Sequence, residues 1–317
     1  MMNRRQCIRL GLATGAALGL APRLACAAGA PAMIHRPIPS SGQLIPVVGL
    51  GSSATFSRAA GGEDAAMLGE VLAAMVERGG TVFDTAPSYG AAEEVAGRLA
   101  RELGITQKIF WATKVNVAPR GGGAADPAAA RAQIEESFRR FGVRTMDLIQ
   151  VHNLGDVPTQ LGILKELKAA KRVGYLGVTS TSKGQYGELE RVMREEPLDF
   201  IGVDYAVDNR DVEATILPLA QQRGIAVMVY LPFGRTRLFR RVADRPLPEW
   251  AADFDAGSWA QFFIKYVLGH PAVTVVTPAT SQARHMIDNL GGGMGRVPDE
   301  ALRRRMAEFI DALPAAG

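Results

Sequence analysis

Eight short apolar runs of β-type residues, separated by stretches with helical period, constrain this chain more than any other feature. They predict strands over Pro46–Leu50, Thr81–Phe83, Ile109–Ala112, Asp147–Val151, Tyr175–Val178, Phe200–Val203, Ile225–Val229 and Val273–Val276. The intervening periodicity predicts helices over Asp64–Glu77, Ala92–Leu103, Pro127–Phe141, Gln160–Ala170, Gln185–Arg194, Val212–Arg223 and Trp259–Leu268, with a last one over Pro298–Ala312. Short, continuously apolar strands alternating with helices argue for a parallel sheet covered by helices. Eight repeats favour closure into a (β/α)8 TIM barrel, an α/β fold in one domain. Such barrels run to about 250 residues, so a chain of 317 residues needs no second domain. Local signals agree: Asp126 before Pro127 makes an acidic cap with proline at the first helical position, and Gly104, Gly142 and Gly224 stand where helices should stop. The segment 234–257, which carries Arg235, Arg237, Arg240 and Arg241 and no clear period, reads as a lid over the barrel mouth or as a surface loop.

The N-terminus must be set aside before charge is interpreted. Arg4 and Arg5 precede an apolar stretch, Leu10 to Ala21, followed by Ala25-Cys26-Ala27, a small-x-small cleavage pattern. Residues 1–27 read as an export signal of twin-arginine type, although Cys7 stands where a large apolar residue is usual. The protein is therefore expected in the periplasm or outside the cell, without stable membrane insertion after cleavage. Residues 28–43 form a leader and 44–317 the barrel.

Removing the signal lowers the formal net charge from +4 to zero and takes away both cysteines, Cys7 and Cys26. No concentrated basic surface remains to suggest nucleic-acid binding. The remaining chain has no thiol for nucleophilic or zinc chemistry, and His35, His270 and His285 lack metal-ligand spacing, so no metal is expected. A monomer is expected.

Polar residues close successive predicted strands. Asp84 and Tyr89 lie in Phe83-Asp84-Thr85-Ala86-Pro87-Ser88-Tyr89-Gly90, Lys114 ends Trp111-Ala112-Thr113-Lys114, and His152 ends Ile149-Gln150-Val151-His152. In a barrel the C-terminal strand ends share one mouth, so these four side chains converge. A phenol with an ordinary pKa of about 10 is a slow acid at neutral pH, and a neighbouring ammonium favours its phenolate. Lys114 is then the group that lowers the Tyr89 pKa, Asp84 holds the lysine charge, and His152 is able to donate a hydrogen bond to a substrate oxygen and orient it.

This set, in this order, resembles the aldo/keto reductase family from about Leu44 to about Phe309. The resemblance implies an NADP-dependent oxidoreductase, with NAD as an alternative, reducing a small carbonyl compound. It implies Tyr89 as general acid, and a cofactor lying across the mouth. Gly51 and Ser52 fall in the first strand-end loop of that site. Thr179 and Ser180 fall where the family has Ser-Asn on the carboxamide, and Gly202 falls where it has Gln. Tyr230, followed by Leu231 and Phe233, matches the aromatic that stacks on the nicotinamide, and Arg235 is placed to clamp the diphosphate. Thr280, Arg284 and Asn289 fall in the stretch that grips the adenosine end, with Ala279 where many relatives carry a phosphate-binding lysine. Phe56, Trp111 and Asn153 are expected to shape the substrate pocket. A second reading is open: a catalytically weak or inactive member of the same fold that retains cofactor as a sensor. The altered carboxamide positions and export favour it, and the intact tetrad favours the reductase. A barrel lyase or isomerase finds no metal cluster and no Schiff-base setting for Lys114.

Overall fold

The strand runs close into a ring. The computed structural model describes residues 32–57, 63–119 and 122–314; the export signal expected over residues 1–27 lies outside them. Eight parallel strands follow in chain order around the sheet: β3 (Leu50–Gly51), β4 (Val82–Asp84), β5 (Phe110–Val115), β6 (Met146–Val151), β7 (Val173–Ser180), β8 (Phe200–Asp204), β9 (Ala226–Tyr230) and β10 (Val273–Val276). The first and last strands meet through parallel bridges between Val48 and Val276 and between Gly51 and Ala279. The amides of Gly49 and Gly51 donate to the carbonyls of Val276 and Pro278 at 2.9 and 3.0 Å, which closes the barrel. The fold is a (β/α)8 TIM barrel.

Outside it run α1 (Glu63–Glu77), α2 (Ala92–Glu102), α3 (Pro127–Phe141), α4 (Val157–Ala169), α5 (Tyr186–Glu195), α6 (Ile216–Arg223), α7 (Arg237–Val242), α8 (Trp259–Leu268), α9 (Ala283–Gly291) and α10 (Glu300–Asp311). Helix α1 packs on both α2 and α9, so the outer layer closes as the ring does. The helix signals act as read: the Asp126 side chain accepts from the Ala128 amide at 3.0 Å, and Gly142, ending α3, has φ 69°. No helix among the described residues is long and apolar enough to cross a membrane.

Inside the ring, alternation decides which side chains meet. Val82, Phe110, Ala112, Leu148, Phe200 and Met228 form the inner cluster. The leader does more than lead: β1 (His35–Pro37) pairs antiparallel with β2 (Leu44–Pro46). Ile38 and Ile45 from this hairpin join the inner cluster and are buried. Burial of two such side chains is worth about 1.5–3 kcal/mol each. Arg36 fastens the hairpin through the carbonyls of Leu268 and Val273. The end of the barrel at the strands' N-termini is thereby plugged.

The segment 234–257 is pinned to the shell. Leu238, Val242, Ala251 and Phe254 are buried, Arg237 pairs with Asp208 at 2.7 Å, and Arg241 donates to the Leu313 carbonyl at 3.0 Å. Trp250 packs against Phe262 and Phe309, tying the segment to α8 and α10.

Candidate active site

Continuing the inward alternation toward the strands' C-terminal ends replaces apolar layers with polar groups. Two residues beyond Val82 comes Asp84; beyond Ala112, Lys114; beyond Leu148, Gln150; beyond Met228, Tyr230. Lys114 Nζ donates to both carboxylate oxygens of Asp84, at 2.9 and 2.8 Å, and to the Thr85 carbonyl at 2.7 Å. Lys114 and Asp84 are 1% and 4% exposed. Three acceptors around one ammonium are the arrangement that lets a charge persist in a desolvated place.

Tyr89 stands on the turn between β4 and α2. Its amide donates to the Ala86 carbonyl at 3.0 Å, and Gly90 follows with φ 55°. A β-carbon at Gly90 would sit 2.6 Å from the Ser57 carbonyl oxygen, so the turn that aims Tyr89 depends on glycine. The Lys114 ammonium lies 5.2 Å from the centre of the Tyr89 ring and 5.1 Å from that of Tyr230. Tyr89 Oη makes a long contact of 3.5 Å with His152 Nε2, and the two rings meet edge to face. Asp84, Tyr89, Lys114 and His152 thus share one end of the barrel.

Burial sets the protonation states. It pushes the Tyr89 phenol up, and the Lys114 ammonium, which pulls the other way, does not fully offset it. The expected lowering is therefore reversed in the protein without ligands, because the phenol is too deeply desolvated. Burial works against the Lys114 ammonium, but the Asp84 carboxylate foremost, with Tyr89 acting in the same direction, outweighs it and leaves the amine raised. Burial likewise pushes the Asp84 carboxyl up, against the pull of Lys114. His152 is pushed down to about 3, first by burial and then by the Lys114 charge, so its imidazole is neutral at physiological pH.

The loop after β6 carries strain, with Asn153, Leu154 and Asp156 at positive φ. Thr179 Oγ1 accepts from the Asn153 amide at 3.0 Å. Ser180 Oγ donates to Gln185 Oε1 at 3.0 Å, and Gln185 Nε2 donates to the Asn153 carbonyl at 3.0 Å. Both side chains expected on a carboxamide thus hold the loop that begins with His152.

The other expected binding residues ring the mouth. Ser52 Oγ donates to the Asp84 carbonyl at 2.9 Å, and Gly51 lies beside Asp84 in register. Leu231 and Arg235 have positive φ in the turn after β9, and Phe233 is buried against Phe239 and Phe263. Thr280 and Asn289 are buried, while Arg284 is exposed near the N-terminus of α9, donating to Gln282 Oε1 at 2.8 Å. Among the described residues neither Arg235 nor Arg284 belongs to an ion pair, and Arg235 is close enough to act on Tyr89.

Two expected pocket residues lie elsewhere. Trp111 points outward, stacked on Phe141 at 4.5 Å, and Phe56 packs against Phe83 at 5.2 Å. Both belong to the seam between strands and helices; Asn153 is exposed. Gln150 was missed. It lies two residues before His152 on the inward face, and its Nε2 donates to Tyr230 Oη at 3.0 Å; the alternation of β6 was the signal.

Comparison with known proteins bears on this geometry. The model of the aldo/keto reductase family matches residues 47–304. Aldo-keto reductase str7 of Strobilurus tenacellus is 26% identical over 274 residues, 75% of this chain and 80% of that protein. Aldo-keto reductase YhdN of Bacillus subtilis (strain 168) is 29% identical over 191 residues, 58% of this chain and 57% of that protein. The crystal structure of an aldo-keto reductase from Klebsiella pneumoniae in complex with NADPH has the same fold, with a TM-score of 0.71 at 23% identity over 88% of this chain and 96% of that one.

Proposed function

The chain belongs to the aldo/keto reductase family, and on that premise we propose that it reduces the carbonyl of a small aldehyde or ketone to an alcohol with NADPH, NADH being the alternative donor. The observation that carries this reading is the convergence of Tyr89, His152 and the Lys114–Asp84 pair at the open end of the barrel.

The mouth fits a nicotinamide dinucleotide. Two arginines outside any ion pair among the described residues, Arg235 and Arg284, would hold phosphates, the second from the first turn of α9, where backbone amides favour anions. The Klebsiella pneumoniae reductase of the same fold is in complex with NADPH. When bound, the cofactor supplies hydride to the carbonyl carbon.

The side chains handle the oxygen. Tyr89, its phenol kept protonated by burial, donates its proton to the carbonyl oxygen as negative charge grows there. The Lys114 ammonium, held by Asp84, stabilises the phenolate left behind. Neutral His152 donates a hydrogen bond that fixes the substrate oxygen beside Tyr89. The export-type pattern over residues 1–27 supports a location of this activity outside the cytoplasm.

A cofactor-retaining binding protein with little turnover is the second reading. It draws on the prior engagement of Thr179 and Ser180 and on the missing side chain at Gly202. One experiment separates the two. The purified protein is titrated with NADPH, monitored by nucleotide fluorescence, and then offered a panel of aldehydes and ketones. Carbonyl-dependent NADPH oxidation supports the reductase; tight binding that no carbonyl discharges supports the second reading; no binding rejects both.

A further inference from the structure

Tyr230 ends β9 with its ring turned into the barrel. Its hydroxyl accepts from Gln150 Nε2 at 3.0 Å and donates to Asp84 Oδ1 at 3.3 Å. The space it fills exists because residue 202, on the neighbouring strand β8, has no side chain. A β-carbon at Gly202 would lie 2.5 Å from both Cε2 and Oη of Tyr230 and 2.7 Å from Cζ. Any other residue there forces the ring to move. Gly202 pairs in register with Met228, two residues before Tyr230, so the glycine and the phenol are neighbours by sheet geometry.

We propose that Tyr230 is a positioning residue for the proton-transfer site: fixed by Gln150 and admitted by Gly202, its phenol holds the Asp84 carboxylate in the orientation that grips Lys114. The proposal rests on the reductase reading for its kinetic consequence, but the contact itself belongs to the protein without cofactor. Asp84 accepts both Lys114 bonds through the two oxygens of one carboxylate. A third donor on Oδ1 restricts rotation of that carboxylate and adds a bond to its charged form, worth roughly tenfold or more in its protonation equilibrium. The ionisable groups facing Asp84 are Lys114 from β5, Tyr89 from the turn after β4, and Tyr230 from β9. His152 stands at the end of β6 beyond Tyr89, Arg235 acts from the turn after β9, and Asp204 ends β8 paired in register with Tyr230.

The test uses the full chain and two variants, Tyr230→Phe, which keeps the ring and removes the hydroxyl, and Gly202→Ala, which keeps the hydroxyl and displaces it. In aspartate-labelled protein without cofactor, the Asp84 carboxyl carbon resonance, assigned by its loss in Asp84→Asn, is followed against pH. The expected result is an upward move of its midpoint by about one pH unit in both variants, with no further move when they are combined. An unchanged midpoint in Tyr230→Phe overturns the proposal whether or not the protein reduces carbonyls. Where wild type turns over, the acid limb of the kcat profile moves up with the midpoint in Tyr230→Phe while the affinity for NADPH is retained. A loss confined to NADPH affinity, with the acid limb fixed, assigns Tyr230 to cofactor contact alone and also overturns the proposal. Inactivity of the wild-type protein defeats the reductase reading and leaves the resonance experiment to decide the positioning role.

Discussion

Lys114 Nζ lies within hydrogen-bonding distance of both carboxylate oxygens of Asp84, 2.9 and 2.8 Å away, in a place almost closed to solvent. Replacing Lys114 by Met leaves a carboxylate buried without its counter-charge, and breaking a buried pair from one side costs about 3–5 kcal/mol. Lys114→Met should therefore lower the denaturant midpoint as well as abolish turnover. Lys114→Met combined with Asp84→Asn should recover much of the stability and none of the activity. Equal stability of the single and double variants would contradict this account of the pair.

Tyr89→Phe removes one oxygen and keeps the ring against His152. Loss of a general acid typically costs about 10²–10⁴-fold, so kcat should fall by that order while NADPH affinity stays within about twofold. Steady-state kinetics and fluorescence titration measure the two quantities side by side. Turnover retained in Tyr89→Phe would move the proton donor to another residue.

His152 provides a pH prediction. Its pKa in the folded protein is about 3 against an ordinary 6.5, because burial disfavours the imidazolium. Between those values the unfolded chain binds a proton that the folded one does not, so the histidine makes stability fall as pH drops from about 6.5 toward 3. His270, pushed down to about 4, acts with the same sign. Asp147 and Asp204, pushed up to about 6 by burial, oppose it over an overlapping window. The effect is therefore read as a difference: urea midpoints at pH 7 and pH 4.5 should diverge more in wild type than in His152→Asn.

Arg284 is exposed and outside any ion pair among the described residues, at the first turn of α9. If it meets the 2′-phosphate, Arg284→Ala should weaken NADPH binding by about tenfold and leave NADH binding unchanged. Parallel fluorescence titrations compare the two. Equal weakening for both nucleotides would assign the side chain to the diphosphate instead.

Replacing Arg4 and Arg5 together by Lys should retain the protein in the cytoplasm, since the twin-arginine route reads that pair. Fractionation of the producing cells with an antibody against the chain measures it. Export of the double variant at the normal level would point to a different route.

The barrel was legible because most strand residues are buried on both faces and so write themselves as largely apolar runs. The tetrad was legible because strand ends of a barrel share one mouth. The hairpin was less visible: His35-Arg36-Pro37 carries no apolar run, and its partner Leu44–Pro46 overlaps the predicted strand only at Pro46. The predicted strand Pro46–Leu50 keeps only its ends in strands, Pro46 in β2 and Leu50 in β3, because the chain passes there from the plug, which holds Ile45, to the shell, which holds Leu50. Trp111 and Phe56 were expected at the pocket, but the period of two turns Trp111 away from Lys114's face and Phe56 packs on Phe83. Tyr230's direction depends on an absence 28 positions earlier in the chain, at Gly202, which no local pattern encodes.

Among the described residues, the hairpin stopper closes the far end of the barrel and leaves the tetrad the mouth as its doorway. On the reductase reading, a donor nucleotide and a carbonyl compound must reach Tyr89 through the same opening, and the alcohol must leave by it. Arrival and departure then form a queue rather than a through-flow, in which whichever molecule sits deeper is the last to go.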